Sequence, residues 1–379
     1  MMQDTYDIVL EGGGAKGIVF VGAFQEIEAR KLNIRRYVGT SAGSITAVLL
    51  AAGYNAQELF EAVNEKFIDP KTGLEKPIFL SFLDTPEKTD FSENDINTSL
   101  LCLLLSEIDI PLLPKIVENR IHQSVTYELM KLSGYREIFS LLEKGGLYSG
   151  KKFIEWLAKK LTAKNPSWAT ATLSEFYKST GKDLSVVASD ITANEMLVLN
   201  HRTAPDCPVV YAVRMSISLP FVWQEVIWQK SWGLYQGRDL TGNAIVDGGV
   251  LSNFPISLIV DTGHENIMGD FKANEAGTLG LLIDEKIAVS NAGQTSPIEI
   301  SNQGASRLAN IKVLQRISNL VDTLTSASDK AEIKAHEKLI CHLPAKGYGT
   351  TEFNMSKERM QALINGGRQA MKEYLDALA

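Results

Sequence analysis

The chain has 379 residues, of which 45% are hydrophobic, so it can bury one large core or two smaller ones. Its formal net charge is −7 and it has no dense block of Lys and Arg, which argues against a nucleic-acid partner but leaves local docking on a membrane open. The three widely spaced cysteines, Cys102, Cys207 and Cys341, predict neither a disulfide framework nor a metal site and favour a reducing compartment.

The N-terminal residues are polar and acidic, so we expect no signal peptide. The longest apolar run covers residues 100–105, whereas a membrane-spanning helix needs about 20 apolar residues. We therefore expect a cytoplasmic or peripheral membrane protein, with export by a non-classical route left open.

Strand and helix patterns alternate at the start of the chain. Residues 8–10 are predicted to form a short buried strand, 18–31 a helix, 36–39 a second strand and 42–52 a second helix. Alternation of this kind with short loops is typical of a parallel sheet, so the sequence predicts an α/β fold.

Residues 69–149 differ from this pattern because they contain several prolines and then helical stretches such as 115–132. We expect a mostly helical insertion between sheet elements. Its apolar residues could pack into the core or form a mobile lid or membrane-facing surface, and the sequence leaves both interpretations open.

The sheet pattern returns in the second half of the chain, where Ser356 is suited to cap a final helix that runs to Leu378. Further strands are expected at residues 184–189, 209–213, 244–249, 278–283 and 338–343.

A glycine-rich loop follows the first strand and reads Gly12-Gly13-Gly14-Ala15-Lys16-Gly17. It matches the G-x-G-x-x-G of a dinucleotide-binding turn, but such a site needs an acidic residue after the second strand, and that strand leads into Gly39-Thr40-Ser41. A phosphate-binding P-loop needs Gly-Lys-Ser/Thr, whereas Gly17 follows Lys16. Both nucleotide interpretations are therefore disfavoured.

A second motif, Gly39-Thr40-Ser41-Ala42-Gly43, lies between the second strand and the second helix. It matches the G-x-S-x-G nucleophile elbow, in which a tight turn flanked by small residues holds a serine at the positive end of a helix dipole. A right-handed crossover places the ends of neighbouring parallel strands at one sheet edge, so the glycine-rich loop should lie beside Ser41. Its backbone N–H groups could then bind an oxyanion.

Asp247, in Val246-Asp247-Gly248-Gly249, is the candidate base for Ser41. It ends an apolar strand, and the two glycines after it allow another backbone to approach. A partly buried carboxylate within hydrogen-bond reach of the hydroxyl can act as a base without histidine. None of the five histidines has a motif, so a Ser-Asp-His triad with His264 or His342 is the weaker alternative.

Together these motifs resemble the patatin-like phospholipase family, which uses a Ser-Asp dyad and a glycine-rich oxyanion loop. The order of the segments Glu11–Gly17, Gly39–Gly43 and 247–249 matches, and segments 215–220 and 250–255 also resemble family segments. Glu11 and Lys16 stand where the family often has aspartate and arginine, so both charges are kept. The resemblance covers nearly the whole chain apart from residues 69–149 and 228–243.

The resemblance implies one domain over residues 1–379, a three-layer α/β/α fold with a mostly parallel sheet, and hydrolysis of fatty acyl esters. It implies no metal or organic cofactor and a lipid substrate at a membrane or micelle surface. Ser41 and Asp247 would be catalytic. The oxyanion loop would comprise Gly12, Gly13, Gly14, Lys16 and Gly17, with support from Gly39, Gly43, Gly248 and Gly249.

Several alternatives remain at this stage. The chain could hydrolyse phospholipids, lysophospholipids, neutral lipids or thioesters, could need a protein or small-molecule activator, or could be a silent binding protein on the same fold. A cluster of aromatic residues before Asp247 could pack in the core or anchor the protein at a lipid surface. It comprises Trp223, Trp228, Trp232 and Tyr235.

Overall fold

The computed structural model describes residues 3–70, 72–106, 124–269, 276–290, 329–350 and 352–378. Its strands are β1 (Thr5–Leu10), β2 (Asn33–Thr40), β3 (Lys66–Ile68), β4 (Glu75–Pro77), β5 (Gly146–Tyr148), β6 (Asp183–Asp190), β7 (Glu195–Leu199), β8 (Phe221–Trp223), β9 (Val226–Ile227), β10 (Ala244–Asp247), β11 (Gly277–Ala288) and β12 (Ile340–Lys346).

The α-helices in the described part of the chain alternate with these strands. They are α1 (Val19–Ala29), α2 (Ala42–Ala51), α3 (Ala56–Val63), α4 (Glu93–Asn97), α5 (Leu100–Ser106), α6 (Ser133–Lys144), α7 (Lys151–Lys164), α8 (Leu173–Thr180), α9 (Val209–Ser216), α10 (Ser257–Val260), α11 (Glu265–Met268), α12 (Lys330–Ala335) and α13 (Lys357–Leu378). None of them combines the length and the apolar character that a membrane span requires.

The main sheet has a parallel centre in the order β12-β11-β1-β2-β6. Strands β7 and β10 pair with β6 in the antiparallel direction, and β9 pairs with β10. The carboxyl ends of β1 and β2 therefore reach the same edge of the sheet, where the glycine-rich loop and Ser41 follow them. The predicted α/β fold with a mostly parallel sheet is confirmed.

Side chains that alternate along the strands fill two hydrophobic cores on opposite faces of the sheet. Ile8 and Leu10 of β1 belong to the larger core, which includes residues of α1, α2, α7, α9 and α13. Val9, between them, belongs to the smaller core with residues of α10 and α11. Helices thus cover both faces, which gives the three layers.

The predicted strand at residues 209–213 is wrong, because these residues begin helix α9. A short run of valines has no periodicity that separates a buried strand from a buried helix. Pro208, at the N-cap position with φ −64° and ψ 134°, precedes the first turn, and the helix packs on β6 and α7. The predicted final helix is confirmed, with Ser356 Oγ accepting from the N–H of Arg359 at 3.3 Å.

Between α3 and α7 the described residues form the β3–β4 hairpin, a 3₁₀ turn over Ile78–Phe82, α4 to α6 and β5, which pairs with β8. Residues 107–123, which hold part of the predicted helix at 115–132, lie outside the described residues. The aromatic cluster before Asp247 is buried, so its core interpretation is confirmed. The exposed fractions are 8% for Trp223, 1% for Trp228, 6% for Trp232 and 2% for Tyr235.

Candidate active site

Ser41 lies in the turn between β2 and α2 with φ 50° and ψ −121°, a conformation that a non-glycine residue adopts only under strain of about 1–3 kcal/mol. The flanking glycines make the turn possible. A Cβ atom on Gly39 would lie 2.4 Å from the carbonyl oxygen of Gly43, and one on Gly43 would lie 2.2 Å from that of Leu10. Only glycine fits at either position, as the elbow motif requires.

Hydrogen bonds fix the backbone of Ser41 on both sides. Its N–H donates to Ser216 Oγ at 2.9 Å, and its carbonyl accepts from the N–H of Ser44 at 2.9 Å. Ser216 lies in the last turn of α9, so this helix positions the serine from outside the elbow. The strained turn is thereby held by both its own helix and a neighbouring one.

Asp247 ends its strand as predicted, but β10 runs antiparallel to β6. Residues 188–190 of β6 pair with both β7 and β10, so β10 must use the edge of β6 that β2 occupies at residues 183–187. Thr40 pairs with Val187 and Asp247 with Ala188, so β2 and β10 meet end to end. This meeting brings Ser41 and Asp247 together.

Gly248 allows this close approach, since a Cβ atom there would lie 2.4 Å from the carbonyl oxygen of Val187. Gly249 follows and donates its N–H to Asp247 Oδ1 at 2.8 Å. The two glycines after the aspartate therefore have separate effects, one on packing and one on the carboxylate.

The Asp247 carboxyl group is enclosed, with the residue 3% exposed, and accepts hydrogen bonds from the N–H of Gly249 and the hydroxyl of Ser41. Its own N–H donates to the carbonyl of Ser218 at 3.0 Å. Desolvation raises the pKa of Asp247 from 3.8 to about 7, and the two hydrogen bonds limit the rise. A carboxylate with this pKa can take a proton from a hydroxyl near neutral pH far better than an exposed aspartate.

The glycine-rich loop lies directly against the elbow. A Cβ atom on Gly12 would lie 3.0 Å from Ser41 Cβ, and one on Gly17 would lie 2.8 Å from Ala42 Cβ. Within the described ranges, the backbone N–H groups of Gly13 and Gly14 find no acceptor. They are free to bind an oxygen of a ligand next to the serine.

The neighbours of these two N–H groups hold the loop in place. The N–H of Gly12 donates to Asn253 O at 3.1 Å, and that of Ala15 donates to Thr350 O at 2.8 Å. Gly14 has φ 54°, and a Cβ atom there would lie 2.2 Å from the same Thr350 oxygen. The loop is therefore tied down at both ends.

Two carboxyl groups support the loop, Glu11 from the predicted loop segment and Asp329, which no motif revealed. Glu11 accepts from the N–H of Ile283 at 2.5 Å and from Asn253 Nδ2 at 3.2 Å, and burial raises its pKa to about 8. Asp329 accepts from the N–H groups of Asn253 at 2.7 Å and Phe254 at 2.8 Å. Asp329 has no sequence signal, because it lies more than 70 residues from its partners.

Arg214 is a second residue that sequence reasoning missed. It is 2% exposed, and its guanidinium group donates to the carbonyl oxygens of Ser149 and Gln224, both at 3.0 Å, and to Ser218 Oγ. Burial lowers its pKa to about 10. Because Ser218 also bonds the N–H of Asp247, Arg214 stiffens the segment that carries the aspartate.

Lys16, predicted within the oxyanion loop, has a buried side chain whose ammonium group pairs with Glu285. The candidate histidines lie elsewhere. His342 Nδ1 is 2.8 Å from Asp284 Oδ2, and its Nε2 is 3.1 Å from Glu337 Oε1. His264 precedes α11 in a turn, so neither histidine joins the Ser41–Asp247 pair in the described structure. His122 lies outside the described residues.

A cavity of about 860 Å³ opens over Ser41, Asp247 and the glycine-rich loop. One end is apolar and is lined by residues from α2, α3, the 78–82 turn, α7 and β8, among them Ile45, Val63, Phe79, Phe82, Phe153 and Trp223. The other end is charged and is lined by Lys16 of the glycine-rich loop and by residues of β11, β12 and α12, among them Asp284, Glu285, Lys286, Lys334 and His342.

Contacts within each set show that its members are neighbours. In the apolar end, Phe82 lies edge-on to Phe79 and to Phe153, with ring centroids 5.7 Å and 5.4 Å apart. Trp223 Nε1 donates to the carbonyl of Phe82 at 2.8 Å. An amphiphilic molecule fits such a cavity, with its apolar part among the aromatic rings.

Relatives of the chain have been found in bacteria and viruses. It is 25% identical over 378 residues to the uncharacterized protein YqhO of Bacillus subtilis, covering 97% of each chain. It is 24% identical over 253 residues to the probable lipid hydrolase 463L of Invertebrate iridescent virus 6, covering 67% of this chain and 62% of the viral one.

Two similar solved structures are VipD from Legionella pneumophila, with a TM-score of 0.48 and 18% identity, and ExoU in its complex with SpcU from Pseudomonas aeruginosa, with 0.41 and 19%. Both matches cover 99% of this chain, but only 67% of VipD and 52% of ExoU. The family model described as patatin-like phospholipase matches residues 8–260, which is more than half of the chain and includes the loop, the elbow and Asp247. The chain belongs to the patatin-like phospholipase family.

Proposed function

We propose that this protein is a serine acyl hydrolase of the phospholipase A or lysophospholipase type, with Ser41 as the nucleophile and Asp247 as the base. The hydrogen bond between the Ser41 hydroxyl and the buried Asp247 carboxylate, at the floor of an amphiphilic cavity, carries this function. Membership of the family and the similarity to a probable lipid hydrolase support a lipid substrate.

The reaction begins when Asp247 takes the proton of Ser41 and Ser41 Oγ attacks the ester carbonyl carbon. Negative charge then develops on the carbonyl oxygen, and the free N–H groups of Gly13 and Gly14 bind it. The intermediate collapses to an acyl-serine as the alcohol leaves with the proton that Asp247 held. In the second half, Asp247 takes a proton from water, the water oxygen attacks the acyl carbon, and Ser41 regains its proton as the fatty acid leaves.

In this mechanism the remaining predicted residues shape the site and its charge. Gly12 and Gly17 let the loop touch the elbow, and the glycines of the elbow and of the aspartate segment let the strands meet. Lys16 places a positive charge beside the loop. No step requires a metal ion or an organic cofactor.

The segment at residues 69–149 belongs, in this proposal, to a single domain and acts as a lid over the apolar end. Phe79 and Phe82 of this segment line that end and pack against Phe153 and Phe353 of the surrounding fold. Movement of the 78–82 turn would change access for an acyl chain at a membrane or micelle surface. An activator that needs to open the site would act on this segment.

The test is to incubate the wild type and Ser41→Ala with phospholipid, lysophospholipid, triacylglycerol and an acyl-coenzyme A thioester, and to measure released fatty acid by mass spectrometry. We expect release from phospholipid or lysophospholipid by the wild type alone. Release only from triacylglycerol or the thioester would assign the site to the neutral-lipid or thioester class. Equal release by both proteins would exclude Ser41 as the nucleophile.

A further inference from the structure

The β3–β4 hairpin presents two large apolar side chains to solvent at its tip. Ile68 is 64% exposed and Leu74 is 63% exposed, the highest fractions among large hydrophobic residues in the described ranges. Ile68 ends β3, and Leu74 directly precedes β4. Single apolar residues are common on protein surfaces, but two of this size at one tip expose apolar area whose contact with water is unfavourable.

The two side chains lie on opposite faces of the hairpin. Ile68 is paired with Glu75. In the next position the N–H of Asp69 donates to the carbonyl of Leu74 at 2.9 Å. Successive positions along a hairpin point to opposite faces, so Ile68 and Leu74 are directed away from each other. Because both are in solvent, neither face of the tip rests on the domain, and the tip projects from it.

Polar groups at the tip bond to one another. The N–H groups of Thr72 and Gly73 donate to the carbonyl of Asp69 at 3.2 Å and 2.7 Å. The Asp69 carboxylate accepts from the Thr72 hydroxyl at 3.0 Å and pairs with Lys76 at 2.5 Å. Polar groups that already have partners are less costly to remove from water, so these groups can leave water with little loss of hydrogen bonds.

The hairpin also carries little net charge. Residues 66–76 include three lysines, one aspartate and one glutamate, which gives a net charge of +1. Besides the pair of Asp69 with Lys76, Lys66 pairs with Glu75 at 2.5 Å. Attraction to anionic lipids is therefore weak, and contact with a lipid surface has to depend on the apolar side chains.

The base of the hairpin is anchored beside the apolar end of the cavity. The Glu65 carboxylate accepts from Trp156 Nε1 of α7 at 3.0 Å, and the Glu65 carbonyl accepts from the N–H of Ile78 at 2.8 Å. Val63, just before the hairpin, and Phe79, just after it, both line the apolar end. The two strands of the hairpin therefore start and finish at the cavity wall.

The tip lies close to that wall. Ile68 follows Val63 by five residues. Leu74 precedes Phe79 by five residues. Because five extended residues span at most about 18 Å, both exposed side chains are attached within that distance of the cavity lining.

A lipid surface fits this tip better than a protein partner does. A stable protein interface buries about 800 Å² on each partner, from about 20 residues or more. Two side chains on opposite faces of a projecting tip offer no such area, but both can insert between lipids, where attraction scales with the apolar area that is buried. The neighbouring cavity is apolar at the same end, which supports this choice.

We propose that the β3–β4 hairpin docks the protein on a lipid surface by inserting Ile68 and Leu74 among the lipids. Docking holds the apolar end of the cavity next to the bilayer, so an acyl chain has a short path into it. This last step rests on the proposed acyl hydrolase function, whereas docking itself needs no catalysis.

The experiment measures co-sedimentation of the Ser41→Ala protein with phosphatidylcholine vesicles over a range of lipid concentrations. Changing both Ile68→Ser and Leu74→Ser should weaken binding at least about tenfold. Raising the salt concentration, or adding phosphatidylglycerol to the vesicles, should change the binding of the parent protein less than about threefold. Absence of binding by the parent to either kind of vesicle would overturn the proposal.

A matched control changes Leu104→Ser and Leu132→Ser, which are 56% and 58% exposed and lie outside the hairpin. This variant should bind vesicles within about twofold of the parent. Equal losses for the two double variants would mean that general surface hydrophobicity drives binding, and would overturn the assignment to the hairpin. Unchanged binding by the hairpin variant would overturn it too and leave the tip to a protein partner.

Insertion can be observed directly, because the three native cysteines are buried and a new thiol on the hairpin would be exposed. An environment-sensitive dye attached to Ile68→Cys should brighten and shift to shorter wavelength on vesicles, whereas the same dye on Leu104→Cys should not. A dye on the hairpin that keeps its spectrum in water while the protein is vesicle-bound would contradict insertion.

The two proposals can fail separately. If the wild type released no fatty acid from any lipid while hairpin-dependent vesicle binding held, the hydrolase function would fail and the docking surface would stand. If the hairpin variant hydrolysed vesicle lipid and a soluble short-chain ester as the wild type does, the docking surface would fail and the hydrolase would stand.

Discussion

The two ends of the cavity are built in different ways. The apolar end draws residues from α2, α3, the 78–82 turn, α7 and β8, and its aromatic rings are fixed by edge-on packing. The charged end draws on β11, β12 and α12, and two of its contacts are the ion pairs of Lys16 with Glu285 and of His342 with Asp284. Ser41, Asp247 and the glycine-rich loop lie between them.

This difference in side-chain chemistry indicates which part of a substrate each end can select. Aromatic packing excludes water and discriminates by shape and volume, so with the proposed substrate it would act on the length of an acyl chain. Charged side chains in a solvated wall discriminate by charge, so with the proposed substrate they would act on a head group. Bond cleavage at Ser41 and Asp247, between the two ends, should depend on neither the acyl chain nor the head group. Variants of the apolar end, the charged end and the catalytic pair should therefore change activity in three distinguishable ways.

The largest effect is expected at the junction. Asp247→Asn keeps the size of the side chain but removes the base, so kcat should fall on the order of 10³-fold or more for every ester, whatever its chain or head group. Fatty acid release from a soluble short-chain ester and from phospholipid vesicles would measure this. If Asp247→Asn kept the wild-type kcat, another group would have to be the base.

The next largest effect is the pH dependence of kcat/KM that ionisation of Asp247 imposes. Because the proton must leave Ser41 for an ionised Asp247, kcat/KM should fall about tenfold per pH unit below about 7 and level off above it. A pH profile on an uncharged ester tests this, and a profile that is flat from pH 5 to 8 would contradict it.

Folding stability should change in the opposite direction. Burial raises the pKa of Asp247 from 3.8 to about 7 and that of Glu11 from 4.5 to about 8, so the folded protein keeps protons that the unfolded chain has lost. Their stabilising contribution is complete below about pH 4 and is lost as the pH rises through 7 and 8. Thermal melts from pH 5 to 9 should show a smaller decline for Asp247→Asn than for the wild type.

A change at the apolar end should alter selectivity. Phe153→Ala enlarges that end, so the preferred acyl chain should lengthen by several carbons, and the rate ratio of long to short chains should rise about tenfold. Loss of the buried ring should also cost about 3–5 kcal/mol of stability.

Phe139→Ala is the matched control for this change. Phe139 is equally buried but packs in a separate cluster with Phe91, Ile96 and Met130, away from the cavity. It should show a similar loss of stability with an unchanged chain-length profile. The same shift in both variants would mean that general softening of the protein, and not cavity volume, sets the preference.

The smallest effect is expected for His342→Ala at the charged end. His342 pairs with Asp284 and Glu337 and has no contact with Ser41 or Asp247, so kcat on an uncharged ester should stay within about threefold of the wild type. Assays with such an ester separate this from a head-group effect. A loss on the scale of Asp247→Asn would restore the Ser-Asp-His triad.

Much of the site was predictable from the sequence because strained turns impose local rules. Ser41 needs small neighbours in its elbow, and Gly12 to Gly17 need backbone close to the serine, so both motifs are visible as short patterns. The order of strands and helices at the start of the chain is equally local. The antiparallel direction of β10 could not be predicted from a short pattern, because the direction of a strand depends on its pairing partners far along the chain.

The contacts of the supporting residues were hidden for the same reason. Glu11 bonds Ile283, Asp329 bonds Asn253, and Lys16 pairs with Glu285, in each case across a long stretch of sequence. The strand predicted at residues 209–213 was wrong because valines in a buried helix leave no polar face to mark its period. Sequence patterns located the candidate reacting groups, whereas the contacts that position them needed the fold.

The central claim is that Ser41 attacks an acyl carbon with Asp247 as its base. The most direct test is to treat the protein with an alkyl fluorophosphonate, whose phosphorus mimics the ester carbonyl and releases fluoride on attack, and to map the adduct by peptide mass spectrometry. We predict one adduct, on Ser41, that forms at least about 100-fold more slowly in Asp247→Asn. An adduct on another residue, or equal labelling of Ser41 without the aspartate, would contradict the dyad.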